Sequence, residues 1–214
     1  VNIIQFFRKI FLANSYFIVL SILYIFVGFF VVIFVRKGDD VIWLNQFHQS
    51  FADYFFQYAT HLGDGLCCIV LSLIFLFLKK YKDALLIFLV FTLSGLLAQF
   101  FKKVVFSDIM RPIAYLGREV NLHLVEGVEV LTHHSFPSGH TATAFATFLM
   151  LSFIFTSKIG GFFFFFLALV VSISRVYLIQ HFFVDTYVGA LLGMMSALLI
   201  YYWSISATWF TKLK

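Results

Sequence analysis

Charged side chains are scarce in this chain. Only 12% of its 214 residues are Asp, Glu, Lys or Arg, against 62% hydrophobic and 21% aromatic, so it lacks the polar surface that keeps an ordinary globule soluble. That scarcity places the chain in a membrane, and its length suits one domain (1–214) of several spans with short connections. Cysteine is rarer still. Cys67 and Cys68 are adjacent within an apolar run, where a mutual disulfide is sterically awkward and a packing role is expected. The chain has no internal repeat and no nucleic-acid motif. Glu119, Glu126 and Glu129 show no metal-ligand pattern and read as a solvated face. The formal charge of +5 is accounted for by residues flanking the apolar runs and by a candidate site.

What the chain has instead is long apolar runs. Six charge-poor stretches, about 14–35, 58–78, 84–103, 139–156, 159–175 and 182–205, have the length needed to cross a hydrocarbon core of roughly 30 Å. The first follows Arg8 and Lys9 like a signal peptide, but it has no small-residue cleavage pattern and reads as an uncleaved span. The fifth carries five consecutive phenylalanines (162–166), which a lipid-facing helix tolerates. Between the first two runs, Trp43, Phe47, Phe51 and Phe55 recur every four residues. That spacing predicts a helix over about 41–57, lying at the membrane interface or packed on the bundle.

The expected fold is therefore an all-α integral membrane protein, six transmembrane helices in a bundle, with a long segment (about 104–137) between the third and fourth. Arg8, Lys9, Lys79, Lys80, Lys82, Lys158, Lys212 and Lys214 would share one side; Arg36, Lys37, Lys102, Lys103, Arg111, Arg118 and Arg175 would share the other. Once several cations of the second group are assigned to a binding site, the remaining bias puts the termini in the cytoplasm and the 104–137 segment outside.

Three polar clusters interrupt the apolar pattern: "FKKVVFSDIMRP" (101–112), "HSFPSGHTATAF" (134–145) and "SRVYLIQHFFVD" (174–185). With alternating spans all three fall at one membrane face. In "PSGH", Pro137 suits a helix start, and the N–H groups of Ser138 and Gly139 offer an anion site at a helix N-terminus, with His140 beside it. Taken alone, this stretch equally suits a helix cap with a surface histidine. His181 and Asp185 are four apart and share a helix face, so the carboxylate can fix the tautomer of the imidazole. Taken alone, that pair reads as a structural hydrogen bond and Arg175 as an interfacial anchor.

Together the clusters point to phosphoryl transfer. Arg111, Arg175 and a lysine of "FKK" would surround an anion with charge-assisted hydrogen bonds. One histidine, oriented by Asp185, would attack, and His140 would donate a proton to the leaving oxygen. The cations and helix amides would stabilise charge on the equatorial oxygens, with no metal or other cofactor required.

This combination resembles the signature of the type 2 phosphatidic acid phosphatase superfamily, which also includes soluble vanadium-dependent haloperoxidases. That signature is a lysine and Arg-Pro, then PSGH, then Ser-Arg, five residues, His, three residues, Asp. Residues 137–140 and 174–185 match it without departure. The resemblance spans about 101–185, and six spans match the membrane branch. It implies that His181 is a nucleophile forming a phosphohistidine, that Asp185 orients it and that His140 is the general acid. It also implies that Arg111, Arg175, Ser138, Gly139 and the lysine hold the phosphate. The departure lies in the first cluster, where the pattern usually has six residues between lysine and Arg-Pro. Here Lys103 leaves seven and Lys102 leaves eight. Lys102 is preferred, because "QFFK" resembles the end of the family's third span and "VVFSDIM" can absorb extra residues; Lys103 is the alternative. The two point roughly 100° apart on a helix, so one of them is expected to face the phosphate.

The resemblance implies a lipid phosphatase acting on a phosphate monoester or a pyrophosphate. Undecaprenyl pyrophosphate, phosphatidylglycerol phosphate, phosphatidic acid and the phosphates of lipid A share the required head chemistry. A short chain without extensions suggests a bacterial inner membrane, with the site facing the periplasm or exterior. A haloperoxidase holding vanadate is a second reading, disfavoured by the small extramembrane parts. A third is an anion channel or transporter, but a filter needs charge and no oriented nucleophile. His61 and Asp64, near the start of the second run, read mainly as a helix-end hydrogen bond, with contact to substrate the alternative; His133 and His134 read as loop residues, with support of the PSGH turn the alternative.

Overall fold

The fourth apolar run forms the axis of the bundle. In the computed structural model, which describes residues 3–117 and 120–207, it is helix α7 (Gly139–Phe155), buried from Thr141 to Phe153. Its first turns are built of Thr141, Ala142, Thr143, Ala144 and Ala146, small enough for neighbouring backbones to approach closely. Where lipid tails supply no hydrophobic drive for association, such close packing is what joins helices.

Around α7 stand α1 (Ile3–Phe34), α4 (Gly65–Phe77), α5 (Tyr81–Phe100), α8 (Lys158–Tyr177) and α9 (Phe183–Ser206), each of them in contact with it. Four segments are long and apolar enough to cross a membrane: Ser15–Phe34, Tyr81–Val105, Lys158–Tyr177 and Phe183–Ser206. Their outward faces carry large exposed apolar side chains such as Phe26, Ile33, Phe88 and Leu199, the surface that a hydrocarbon solvent covers. In the run of five phenylalanines, Phe162, Phe163 and Phe166 point out. Phe165 turns inward, edge-on to Phe17 of α1 at 5.5 Å.

Two expectations change. The helix expected over 41–57 is two pieces, α2 (Asp39–Asn45) and α3 (Ser50–Ala59), because the chain leaves helical geometry between them and Gln49 is extended (φ −161°, ψ 151°). Trp43, Phe47, Phe51 and Phe55 are nevertheless all exposed. The expected second span is also broken. Helix α3 runs through a 3₁₀ turn (Thr60–Gly63) and meets α4 at a bend of 58°. Alone, α4 has 13 residues, about 20 Å of rise, which is short of the ~30 Å core. The break falls at Gly63-Asp64-Gly65, where a Cβ on Gly63 would lie 2.7 Å from the backbone oxygen of His140. A continuous helix with a side chain there could not seat against α7.

Among its described residues the segment 104–137 contains the tail of a π-turn (Phe101–Val105) and the short helix α6 (Pro112–Leu116), and it is fastened down. Asn45 exchanges two hydrogen bonds with the backbone of His123, each 2.9 Å, and Asp53 holds the His123 ring at 2.8 Å. Val125 is buried with Tyr177 and Leu178 at the end of α8. Glu126 and Glu129 remain exposed. Arg118, Glu119, Lys212 and Lys214 lie outside the described residues, as do the side chains of Arg8 and Lys9.

The tightest seam is α7 against α9. A Cβ on Gly193 would run into the carbonyl oxygen of Ala142, whereas one on Gly95 of α5 would meet nothing within 4 Å. We predict that Gly193→Ala lowers stability by about 1–3 kcal/mol through overpacking, whereas Gly95→Ala raises it by about 0.5–1 kcal/mol through reduced chain entropy. Apparent melting temperatures in detergent check this, and equal shifts for the two variants would contradict the packing account.

Candidate active site

After α8 the chain turns sharply before entering α9. The amides of Gln180 and His181 both donate to the carbonyl of Arg175, at 2.9 and 3.1 Å, and Ile179 sits at φ 57°. A β-branched residue in that region costs about 1–3 kcal/mol. It persists here because Ile179 is buried against Val41, Val176 and Phe182. The turn delivers His181, only 1% exposed, with Nδ1 3.3 Å from Oδ2 of Asp185. The same oxygen accepts the Phe182 amide at 3.1 Å and the Ser135 hydroxyl. Asp185 therefore caps α9 from its third helical position and fixes the His181 ring, leaving Nε2 available. Burial, reinforced by Arg111, Lys102 and Arg175, holds this imidazole well below its ordinary pKa. At neutral pH it is an uncharged base.

The PSGH stretch is joined directly to that assembly, since the Ser138 amide donates to the Asp185 carbonyl at 3.0 Å. This changes one detail of the sequence reading. Ser138, not Pro137, begins the helix as its cap, with Oγ accepting from the Thr141 amide, because a serine hydroxyl can satisfy an orphan helical N–H and a proline cannot. Pro137 precedes the cap, with a cis Phe136–Pro137 bond. Ser138 is fully buried with its amide and hydroxyl both engaged, so the helix start presents Gly139 and His140, both of which line a cavity.

That cavity, about 580 Å³, brings together Lys102, Arg111, Gly139, His140, Arg175 and His181. Arg111 is 5% exposed; Nε donates to the His133 carbonyl and Nη1 to the Gln180 backbone and side-chain oxygens. Arg175 is held by Nη1 donating to Thr60 Oγ1 at 2.8 Å, and its buried Nε has no protein partner among the described residues. One of the two extra residues between Lys102 and Arg111 is taken up locally: residues Phe101–Val105 form a π-turn closed by Phe106 N–H to the Phe101 carbonyl at 2.8 Å. A π-turn accommodates an extra residue without ending the helix. Lys102 is 9% exposed and lines the cavity, while Lys103 points out to the surface.

Asp64 is the residue whose weight the sequence understated. It makes the expected helix-end bond to His61 (3.2 Å), but its other oxygen is 3.7 Å from His140 Nε2 and it lines the cavity. Ser135, Gln180 and Thr60 were not singled out at all, although the first two stand inside the motif-bearing stretches. His133 and His134 are exposed, as a loop reading expects; only the His133 carbonyl serves the site, through Arg111.

The state of His181 has a consequence for stability. An unfolded chain protonates this imidazole near pH 6.5 while the folded one keeps it neutral, so acidification favours unfolding by up to about 1.4 kcal/mol per pH unit below that value. We predict that apparent melting temperature falls between about pH 7 and pH 5 and that His181→Gln flattens the fall. Identical slopes in the two proteins would contradict the buried, neutral assignment.

Comparisons with known proteins bear on the family and the fold. Residues 15–209 match the family model of the PAP2 superfamily. No curated protein matches the chain. The crystal structure of Aquifex aeolicus LpxE is similar, with 26% identity and a TM-score of 0.68 over 79% of this chain and 96% of that one. The structure of the first transmembrane PAP2 type phosphatidylglycerolphosphate phosphatase, from Bacillus subtilis, shares the fold with 22% identity and a TM-score of 0.65, over 91% and 98% of the two chains. With the family model matched along most of its length and several helices long and apolar enough to cross a membrane, the chain is an integral membrane protein that belongs to the PAP2 superfamily.

Proposed function

We propose that this chain is a lipid phosphatase that hydrolyses a phosphate monoester or pyrophosphate on a membrane lipid through a phosphohistidine at His181. The observation that carries this reading is the cavity itself: two imidazoles, each beside its own carboxylate, share one space with Lys102, Arg111 and Arg175. Three cations in an apolar bundle need an anion, and a phosphoryl group supplies one. His181 Nε2 attacks phosphorus while the bond to the leaving oxygen breaks and His140 protonates that oxygen. His140 then takes a proton from water as the water displaces His181 and inorganic phosphate forms. The cations and the amides of Gly139 and His140 stabilise the equatorial oxygens; Ser138 serves by capping the helix that aims those amides. Lys102, Arg111 and Arg175 meet the charge of the transferred group in place of a metal.

The membrane arrangement we propose counts the bent α3–α4 pair and α7 with the four longer helices, giving six spans. The termini are then cytoplasmic, and the cavity opens on the exterior face of a bacterial inner membrane. Undecaprenyl pyrophosphate, phosphatidylglycerol phosphate, phosphatidic acid and lipid A phosphates are the head groups to test. Support comes from the cavity wall formed by Phe91, Gly95 and Leu96 of α5, an apolar and half-open side along which a tail can lie.

Purified protein should release phosphate from at least one of these lipids, and His181→Ala should abolish that release while the protein stays folded. Turnover persisting in that variant would refute the nucleophile. Vanadate, which resembles the five-coordinate transition state, should inhibit. Lys102→Ala should weaken vanadate inhibition by roughly 10- to 100-fold, as loss of a charged hydrogen bond predicts, with Lys103→Ala close to wild type.

A further inference from the structure

We infer that Asp64 is the positioning residue of His140, so that the site holds two His–carboxylate pairs, one for the attacking imidazole and one for the proton donor. This deepens the phosphatase reading and rests on it. Residue 64 lies outside all three polar clusters, on a different helix pair from the two histidines and three cations of the cavity. It reaches His140 only because the second apolar run breaks at Gly63-Asp64-Gly65 and the glycines let that break seat against the start of α7.

The geometry is specific. Asp64 Oδ1 is 3.7 Å from His140 Nε2, and Oδ2 is 3.2 Å from His61 Nδ1. With Nε2 turned to the carboxylate, Nδ1 is the nitrogen left to serve the leaving oxygen. The proton donor otherwise faces cations, Arg175 from α8 and Lys102 from the π-turn after α5, with the neutral His181 ring lining the same cavity. On the near side the exposed His61 pairs with Asp64, while the Cys68 thiol of α4 is engaged with Thr147 of α7. A protonated imidazole among such cations is costly unless an anion stands beside it. Among the described residues Asp64 is the carboxylate in ion-pair range of His140. Asp64 takes no proton: it steadies the imidazolium before transfer. His61, with its side chain 65% exposed, holds the second oxygen at the solvent edge.

A leaving-group comparison separates this role from a merely structural one. A long-chain alkyl phosphate has a leaving oxygen that needs protonation; a nitrophenyl phosphate bearing a similar alkyl tail does not. The readout is the rate of the first turnover, which reports formation of the phosphoenzyme alone. Asp64→Asn should slow the alkyl substrate by about 100-fold or more, the range of general-acid catalysis, and the nitrophenyl substrate by less than about threefold, with His140→Ala giving the same pattern. Asp64→Glu should recover part of the alkyl rate, and in Asp64→Asn the alkaline limb of the alkyl pH profile should move to lower pH. Equal losses on both substrates, or no loss on either, would overturn the inference while leaving the phosphatase reading intact. If wild-type protein releases neither leaving group, that reading fails and this one with it. Should Asp64→Asn not fold, His61→Ala carries the same comparison: a selective slowing of the alkyl substrate is expected, and an unchanged alkyl rate overturns the role of the carboxylate.

Discussion

One buried carboxylate ties the two halves of the site together. Asp185 accepts from the Ser135 hydroxyl, the Phe182 amide and the His181 ring through its side chain, and from the Ser138 amide through its carbonyl. A side chain 1% exposed in an apolar bundle tolerates a charge only when donors gather on it; here all three converge on Oδ2, while the buried Oδ1 has no partner among the described residues. Each partner belongs to a different part of the site: the approach to PSGH, the start of α9, the attacking imidazole and the cap of α7. Loss of that carboxylate would leave the Ser135 hydroxyl, the Phe182 amide and the His181 ring without their acceptor, each at about 1–3 kcal/mol, while the Ser138 amide would keep its bond to the backbone carbonyl. Stability and function are coupled here through the same oxygen.

The cations pose the opposite problem. Lys102, Arg111 and Arg175 are each less than one-tenth exposed, and their mutual repulsion is only partly offset by Asp185 and Asp64. Burial lowers the pKa of the Arg111 guanidinium, with Asp185 opposing the shift. Arg111 is held by neutral carbonyl and amide oxygens rather than by a carboxylate, and Arg175 by a threonine hydroxyl. Neutral acceptors orient a guanidinium without cancelling its charge. The positive potential is thus kept for a ligand, as preorganised anion stabilisation requires.

Much of this was legible in the sequence, and unevenly so. The ends of the apolar runs lie close to the observed helices because charge and hydropathy change abruptly at Arg36, at Ser138 and after Arg175. The convergence of His140, Arg175 and His181 was legible because each stands at an end of an apolar run, and successive antiparallel runs bring those ends together. Spacing failed in two places for physical reasons. Near Lys102 a π-turn alters the helical register, and a count of residues does not reveal whether an insertion is looped out or wound in. Near Asp64 the run "THLGDGLCCIV" has the composition of an ordinary span start, and only the contact of Gly63 with the His140 backbone shows why the helix stops there. Ser135 and Gln180 were invisible as individuals, since their value comes from partners brought in from other segments.

The broken second span is the feature that a hydropathy argument alone would disfavour. Irregular backbone at membrane depth leaves polar groups without partners and is tolerated only when it is buried in protein or lines a polar cavity. Here the break meets both conditions. Gly63 is buried against α7 and α8, while Asp64 and Gly65 line the cavity that holds the cations. The backbone at the break keeps its bonds, with the Asp64 amide donating to the His61 carbonyl and the Asp64 carbonyl accepting from the Cys67 amide. An unbroken helix would satisfy the same groups more simply. It would also carry Thr60 away from Arg175 and Asp64 away from His140. Persistence of the bend is thus better explained by what it delivers to the cavity than by the stability of α4, whose 13 residues are too short to span on their own.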